Sequence, residues 1–189
     1  MQEKLKSIIN NVTATPTQSI QKILDLASFA QLEKGDFLFK KEAHNHLEYF
    51  VLEGIGKTFL NSPEGEEITI SFFMPNSILP PFTTRSIDGR STLFGQAITP
   101  MKIASVDAHL FENLMIEDLG VRHFANTVLR HELMQKVQKE IELASLTGIK
   151  RLESLRSRFP NIENLVPHSD IASYLGITTI SLSRFRSKI

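Results

Sequence analysis

The chain of 189 residues has no cysteine, no tryptophan, only two tyrosines and no net charge, since 21 Lys and Arg balance 21 Asp and Glu. The missing cysteine excludes disulfides, thiolate zinc sites, cysteine nucleophiles, Cys-ligated iron–sulfur clusters and thiol redox switches. No apolar run approaches the roughly 18 residues needed to span a bilayer. The N-terminal MQEKLKSIINN also lacks the apolar core and cleavage site of a secretion signal. A cytoplasmic chain without membrane association is expected. No phosphate-cradling glycine loop and no nucleophile elbow occur, so no catalytic residue is assigned and a non-enzyme is expected.

What is present is ordinary in amount and uneven in arrangement. Hydrophobic residues make up 41% and charged residues 22%, enough for one large domain or two small ones with a real core. The balanced charge hides an asymmetry. From Lys150 to Ile189 seven basic residues face three acidic ones, a net of +4, which leaves −4 on the rest. A basic C-terminal segment on an acidic body points to a polyanionic partner at that end.

The hydrophobic period changes twice along the chain. From about Met1 to Ala30 it reads as helical, with Pro16 in a first-turn position and Ile20, Ile23, Leu24 and Ala27 at helical spacing. From Leu32 to Asp107 it breaks into short apolar runs: Phe37-Leu38-Phe39, Leu47 to Val51, Lys57 to Leu60, the alternating Ile68, Ile70 and Phe72, and Ala97 to Val106. Turns at Lys34-Gly35-Asp36, Glu53-Gly54-Ile55-Gly56 and Asn61-Ser62-Pro63-Glu64-Gly65 separate them. Short strands so punctuated predict an antiparallel barrel or sandwich.

After Asp107 the helical period returns. Asp107 is placed as the N-cap of a helix through Met115, and Asp118 as the cap of one reaching about Ser145. Leu129, Leu133, Val137, Ile141 and Ala144 form a stripe along that second helix. A helix of about 25 residues is about 37 Å long, too long for a small barrel to cover, so a second copy of the chain is the simplest partner for the stripe. Thr147-Gly148 reads as a hinge, followed by a helix over Arg151–Phe159 that Pro160 ends.

The segment HSDIASYLGITTISLSRFRSK, His168 to Lys188, satisfies the demands of a helix-turn-helix together. Ala172 is the small residue at the helix crossing and Gly176 supplies the turn; Ile171, Leu175, Ile177, Leu182 and Phe185 face inward. Thr178 caps a second helix whose outer face carries hydroxyls and bases.

With these residues in view the chain resembles the CRP/FNR family of transcription regulators over nearly its full length. The β-roll turns at Lys34-Gly35-Asp36 and Glu53-Gly54-Ile55-Gly56, and IASYLGIT followed by LSRFR, carry the resemblance. It implies an α+β fold: an N-terminal antiparallel, jelly-roll-like β-roll with flanking helices, a long dimerisation helix and a C-terminal all-α helix-turn-helix. The implied divisions are an effector domain over 1–117, a dimerisation helix over 118–147 and a DNA-binding domain over 148–189. The expected partners are double-stranded DNA, a second copy of the chain through 118–147, and RNA polymerase. Thr178, Thr179, Ser181 and Arg184 are expected at bases or backbone and Lys188 at a phosphate.

Two departures qualify the resemblance. Arg90-Ser91-Thr92 stands where cyclic-AMP-binding members bind the phosphate, which makes Arg90 and Ser91 the candidate effector residues for a cyclic nucleotide or another small anion. The Gly-Glu pair of that cassette is absent: Ser77-Ile78-Leu79-Pro80-Pro81-Phe82 stands upstream, and its two prolines remove two backbone donors. No response to cyclic AMP is expected. The recognition helix carries Thr179-Ile180 where members reading G·C-rich half-sites carry Arg-Glu, so a different operator is expected. Two other readings stay open: a β-roll sensor acting by protein contact without DNA, and a cupin-like metal enzyme built on His44, His46 and Glu48. The metal reading lacks the later Glu and the second histidine motif of such sites, so no metal ligand is assigned.

Overall fold

The run Tyr49-Phe50-Val51-Leu52, apolar at every position rather than every second one, marks the strand around which the first part of the chain is built. The computed structural model describes residues 1–79 and 83–187. Strand β3 (Leu47–Glu53) lies inside an antiparallel sheet with β1 (Ser28–Leu32), β6 (Ile78–Leu79) and β8 (Met101–Asp107), in the order β1-β8-β3-β6. A second sheet, ordered β2-β7-β4-β5, contains β2 (Phe37–Phe39), β4 (Gly56–Asn61), β5 (Glu67–Phe73) and β7 (Phe94–Ala97).

Successive side chains of β3 enter two different cores. Tyr49 and Val51 cluster with Phe39, Phe73, Ala97, Met101 and Ile103, drawn from both sheets. Phe50 and Leu52 join Ala104 and Val106 of β8 in a separate layer against helices. Burial on both faces is why this strand shows no alternation. The register Tyr49↔Ser105 and Phe50↔Ala104 keeps the two sets apart, since a slip of one residue would exchange them.

Four helices cover that outer layer. Helix α1 (Gln2–Val12) contributes Leu5, Ile8 and Ile9; α2 (Thr17–Leu26) contributes Ile20, Ile23 and Leu24. Helix α3 (Ala108–Glu117) begins at Asp107, whose carboxylate accepts from the His109 and Leu110 amides at 3.0 Å each, as its sequence predicts. Helix α4 (Leu119–Ser145) buries Val121, Phe124, Ala125 and Val128, with the Phe124 ring stacked on Phe50. Its N-terminus is tied to α2 through Asp118. One carboxylate oxygen accepts from Ser19 Oγ at 2.7 Å and from the Gly120 and Val121 amides; the other accepts from Lys22 Nζ at 2.8 Å. The bonds from Lys22 and Ser19 hold this carboxyl well below the usual carboxylate range.

The single helical reading of the first thirty residues requires correction. The helix stops at Val12, Pro16 is the N-cap of α2 rather than part of its first turn, and Ser28–Leu32 is strand β1. Its register with β8 runs from Ser28↔Ser105 to Leu32↔Met101. This strand is largely exposed, and a tertiary partner far along the chain overrides its local period.

Two compact units emerge, residues 1–58 with 72–133 and residues 59–71 with 134–189. In the second, α5 (Gly148–Arg158), α6 (Ile162–Leu165), α7 (His168–Leu175) and α8 (Thr179–Arg186) bury Leu152, Leu155, Ile162, Val166, Ile171, Ala172, Leu175 and Leu182. Helix α5 starts three residues earlier than its sequence predicts, with Thr147 as N-cap. Gly148 is there for space: a Cβ would stand 2.8 Å from the Phe185 ring and 3.0 Å from Ile177.

Candidate functional site

Helices α7 and α8 form the helix-turn-helix that the sequence predicts. Gly176 terminates α7 in the left-handed region, φ 62° and ψ 41°, where its amide bonds back to Ser173 O at 3.0 Å. Two residues later Thr178 opens α8, and its Oγ1 accepts from the Ser181 amide at 3.1 Å. Leu182 is buried and Phe185 half-buried, which fixes the inward side of α8.

At 100° per residue, that orientation puts Ile180 at the centre of the outward face, flanked by Thr179, Ser183 and Arg184, all exposed. Of the residues expected at DNA, Thr179 and Arg184 lie on this face. Thr178 is exposed, but its hydroxyl is engaged in the cap. Ser181 is half-buried on the flank, its hydroxyl 3.0 Å from Thr178 Oγ1. Lys188 lies outside the described residues. Ile180 was reachable from sequence: counting helical steps from the Thr178 cap places it outward, whereas choosing contacts by hydroxyl or positive charge passes over it.

The basic residues around α8 divide into free and committed ones. Arg184 is exposed and has no ion-pair partner among the described residues. Glu163 holds Arg156 (Nε–Oε2, 2.6 Å) and Arg186 (Nε–Oε1, 2.9 Å), and these contacts, that with Arg156 foremost, keep its carboxyl below the ordinary range.

The tip of the β4–β5 hairpin belongs to the same unit and seats on α7. Ser173 Oγ accepts from the Thr69 amide at 2.9 Å and donates to Glu67 O at 3.0 Å, continuing the edge of β5 by a side chain. On α4, Lys139 Nζ donates to Ile70 O at 2.6 Å and sits 3.8 Å from the centre of the Tyr174 ring. Burial pushes the Lys139 ammonium down to about 8. The α4 stripe is open: Leu133, Val137 and Ile141 are 64%, 46% and 52% exposed. The helix therefore carries one apolar face buried in its own core near its start and another facing outward further on.

The candidate effector residues are not arranged as a phosphate site. Thr84 to Thr92 folds as a small hairpin: the Ser86 amide bonds to Arg90 O, the Gly89 amide to Ser86 O and the Thr92 amide to Thr84 O. The Ser91 amide donates to Ala43 O. These four donors are spent within the chain, whereas a phosphate cradle needs them convergent and unpaired. Arg90 is exposed, donates to Glu42 O at 2.8 Å and pairs with Asp88. Ser91 is buried with its hydroxyl unpaired, as is the Asn45 side-chain nitrogen. The buried arginine here is Arg85, whose guanidinium pairs with Glu48 and donates to Leu47 O. That pairing engages the Arg85 guanidinium within the chain, and Lys57 of β4 is a second buried cation in the same unit. The Arg85 pairing also engages the Glu48 carboxylate that a metal site would need, and His44 and His46 are exposed.

Residues 29–118 match the family model of the cyclic nucleotide-binding domain. No curated protein matches the sequence. Among solved structures the chain is similar to FixK2 from Bradyrhizobium japonicum, at 17% identity and TM-score 0.76, over 86% of this chain and 83% of that one. It is similar to the c-di-GMP-responsive global regulator CLP of Xanthomonas campestris, at 14% identity and TM-score 0.72, over 92% and 91%. A protein of Eubacterium rectale assigned to the crp/fnr family of transcriptional regulators aligns at 18% identity and TM-score 0.70, over 93% and 85%. Among the described residues no helix is long and apolar enough to cross a membrane.

Proposed function

We propose that this chain, whose residues 29–118 belong to the cyclic nucleotide-binding domain family and whose length carries the CRP/FNR fold, is a DNA-binding transcription regulator acting as a homodimer. The observation that carries this reading is the α7–Gly176–α8 motif, with an outward face of Thr179, Ile180, Ser183 and Arg184, the arginine having no ion-pair partner among the described residues. Base edges in the major groove are read from such a helix, and its N-terminal part makes the contacts.

The open stripe Leu133, Val137 and Ile141 supports dimerisation, since a second copy of α4 would cover it with matching side chains. Two reading heads related by a two-fold axis would then meet half-sites about 34 Å apart. In this scheme a signal in the roll shifts α4, and Thr147-Gly148 reorients the heads. The signal is an effector other than a cyclic nucleotide bound through its phosphate.

Selection from genomic fragments with the purified full chain at about 150 mM salt tests the reading, because fixed salt separates specific binding from phosphate attraction. A two-fold symmetric site, enriched equally with and without cyclic AMP or cyclic GMP, is expected. No enrichment together with a monomer by light scattering refutes it. On the selected site Arg184→Ala is expected to cost about 1–3 kcal/mol if that arginine reads a base, and equal losses on every sequence would assign it to phosphate.

A further inference from the structure

Ile180 is 65% exposed at the centre of the outward face of α8, the most exposed position for an aliphatic side chain in the helix-turn-helix. Nothing in its own unit needs it there, because Leu182 and Phe185 already pack the inward side. Its neighbours one turn on are Ser183 and Arg184, both exposed, and Thr179 precedes it. An aliphatic side chain at the middle of a polar, cationic helix face is suited to a partner that is anionic at its edges and offers an apolar group at its centre.

Duplex DNA meets that description at one kind of base. In the major groove G shows two acceptors, C a donor and A a donor with an acceptor, while T adds the C5 methyl group to its single acceptor. Isoleucine has no hydrogen-bonding atom in its side chain. Placed against G, C or A it would cover polar groups without replacing the water they lose, which costs free energy. Placed against T it buries a methyl group.

We propose that Ile180 reads the C5 methyl of a thymine, so that each half-site of the preferred operator carries a T·A pair under the centre of α8, with Arg184 contacting a neighbouring base or phosphate. This rests on the DNA-binding reading above and adds to it a base and the residue that selects it.

Replacing single thymines by deoxyuracil removes that methyl group and leaves base pairing intact, so it isolates the contact. The full-length protein would first select a site from a random duplex pool, with and without cyclic AMP and cyclic GMP. Each thymine of the winning site would then be replaced in turn, and binding measured for the native chain and Ile180→Ala. Alanine favours helix, and circular dichroism would check that the variant is folded. At one thymine per half-site, deoxyuracil should weaken the native chain about fourfold, while Ile180→Ala should bind both duplexes equally. An enriched site with a flat deoxyuracil scan, or a variant that keeps the full penalty, overturns this inference and leaves the DNA-binding reading standing. An unenriched pool overturns both and points to an apolar pocket on a protein as the partner of this face.

Discussion

Arg85 and Glu48 are the pair on which the interior of the roll depends, and their separation in sequence makes the claim testable. The two side chains are 8% and 6% exposed, and Arg85 also donates to Leu47 O at 3.2 Å. Removing one partner leaves the other charge buried, which costs about 3–5 kcal/mol. That is a large share of a typical folding free energy of about 5–15 kcal/mol. Arg85→Met and Glu48→Leu should each lose this much, and the double variant should lose less than either alone, because no charge remains to be desolvated. With a urea slope of about 2 kcal/mol per M, each single variant should unfold roughly 1.5–2.5 M earlier. The absence of tryptophan supplies the assay: Tyr49 lies in one compact unit and Tyr174 in the other, so a Tyr174→Phe background leaves Tyr49 fluorescence as a probe of the roll. Losses that add in the double variant, or single losses below about 0.5 kcal/mol, would refute the buried-pair argument.

Asp118→Ala removes the acceptor for the Gly120 and Val121 amides and for Ser19, and should cost about 1–2 kcal/mol in urea unfolding of the roll. Because the folded carboxyl is held below its unfolded pKa of about 4, its contribution is present above that value and lost as pH falls toward the folded one. The gap between native chain and variant should therefore narrow below about pH 4. Leu133→Asp with Ile141→Asp puts charges into the open stripe, and light scattering should report a monomer with unchanged helix content; a dimer would place the interface elsewhere. Ser173→Ala deprives the Thr69 amide of its acceptor, so hydrogen exchange at Thr69 should accelerate while α8 stays protected. Unchanged exchange there would mean that the hairpin tip is not held by this hydroxyl.

Local signals and long-range ones separate cleanly in this chain. The limits of α4 follow from Asp118 as cap and from a run after Gly120 without glycine or proline, both properties of adjacent residues. The helix-turn-helix is legible for the same reason, since Ala172, Gly176 and Thr178 act on their own neighbours. Strand β1 is not, because nothing between Ser28 and Leu32 announces that β8 lies beside it. The surroundings of the candidate effector residues are set at long range in a similar way. Arg90-Ser91 resembles a phosphate-binding pair by sequence, but burial falls to Arg85, whose partner Glu48 stands 37 residues earlier. On α8 residue type points to Ser181, and the turn of the helix adds Ile180 at the centre of the outward face.

The same distinction bears on the interior of the roll. A phosphate pocket requires free amides and an uncompensated cation, both local features that a few substitutions can remove while the sheets around them persist. Here the described amides of Thr84 to Thr92 close a hairpin and Arg85 is answered by Glu48, while Phe39, Tyr49, Val51, Phe73, Met101 and Ile103 fill the interior between the sheets. The packing between the sheets is therefore independent of whether the described amides and guanidinium groups serve a phosphate. Among the described residues of this unit, the buried side-chain atoms left unsatisfied, Ser77 Oγ, Ser91 Oγ and the Asn45 nitrogen, are neutral. A group that met these atoms would find neutral hydrogen-bonding partners there.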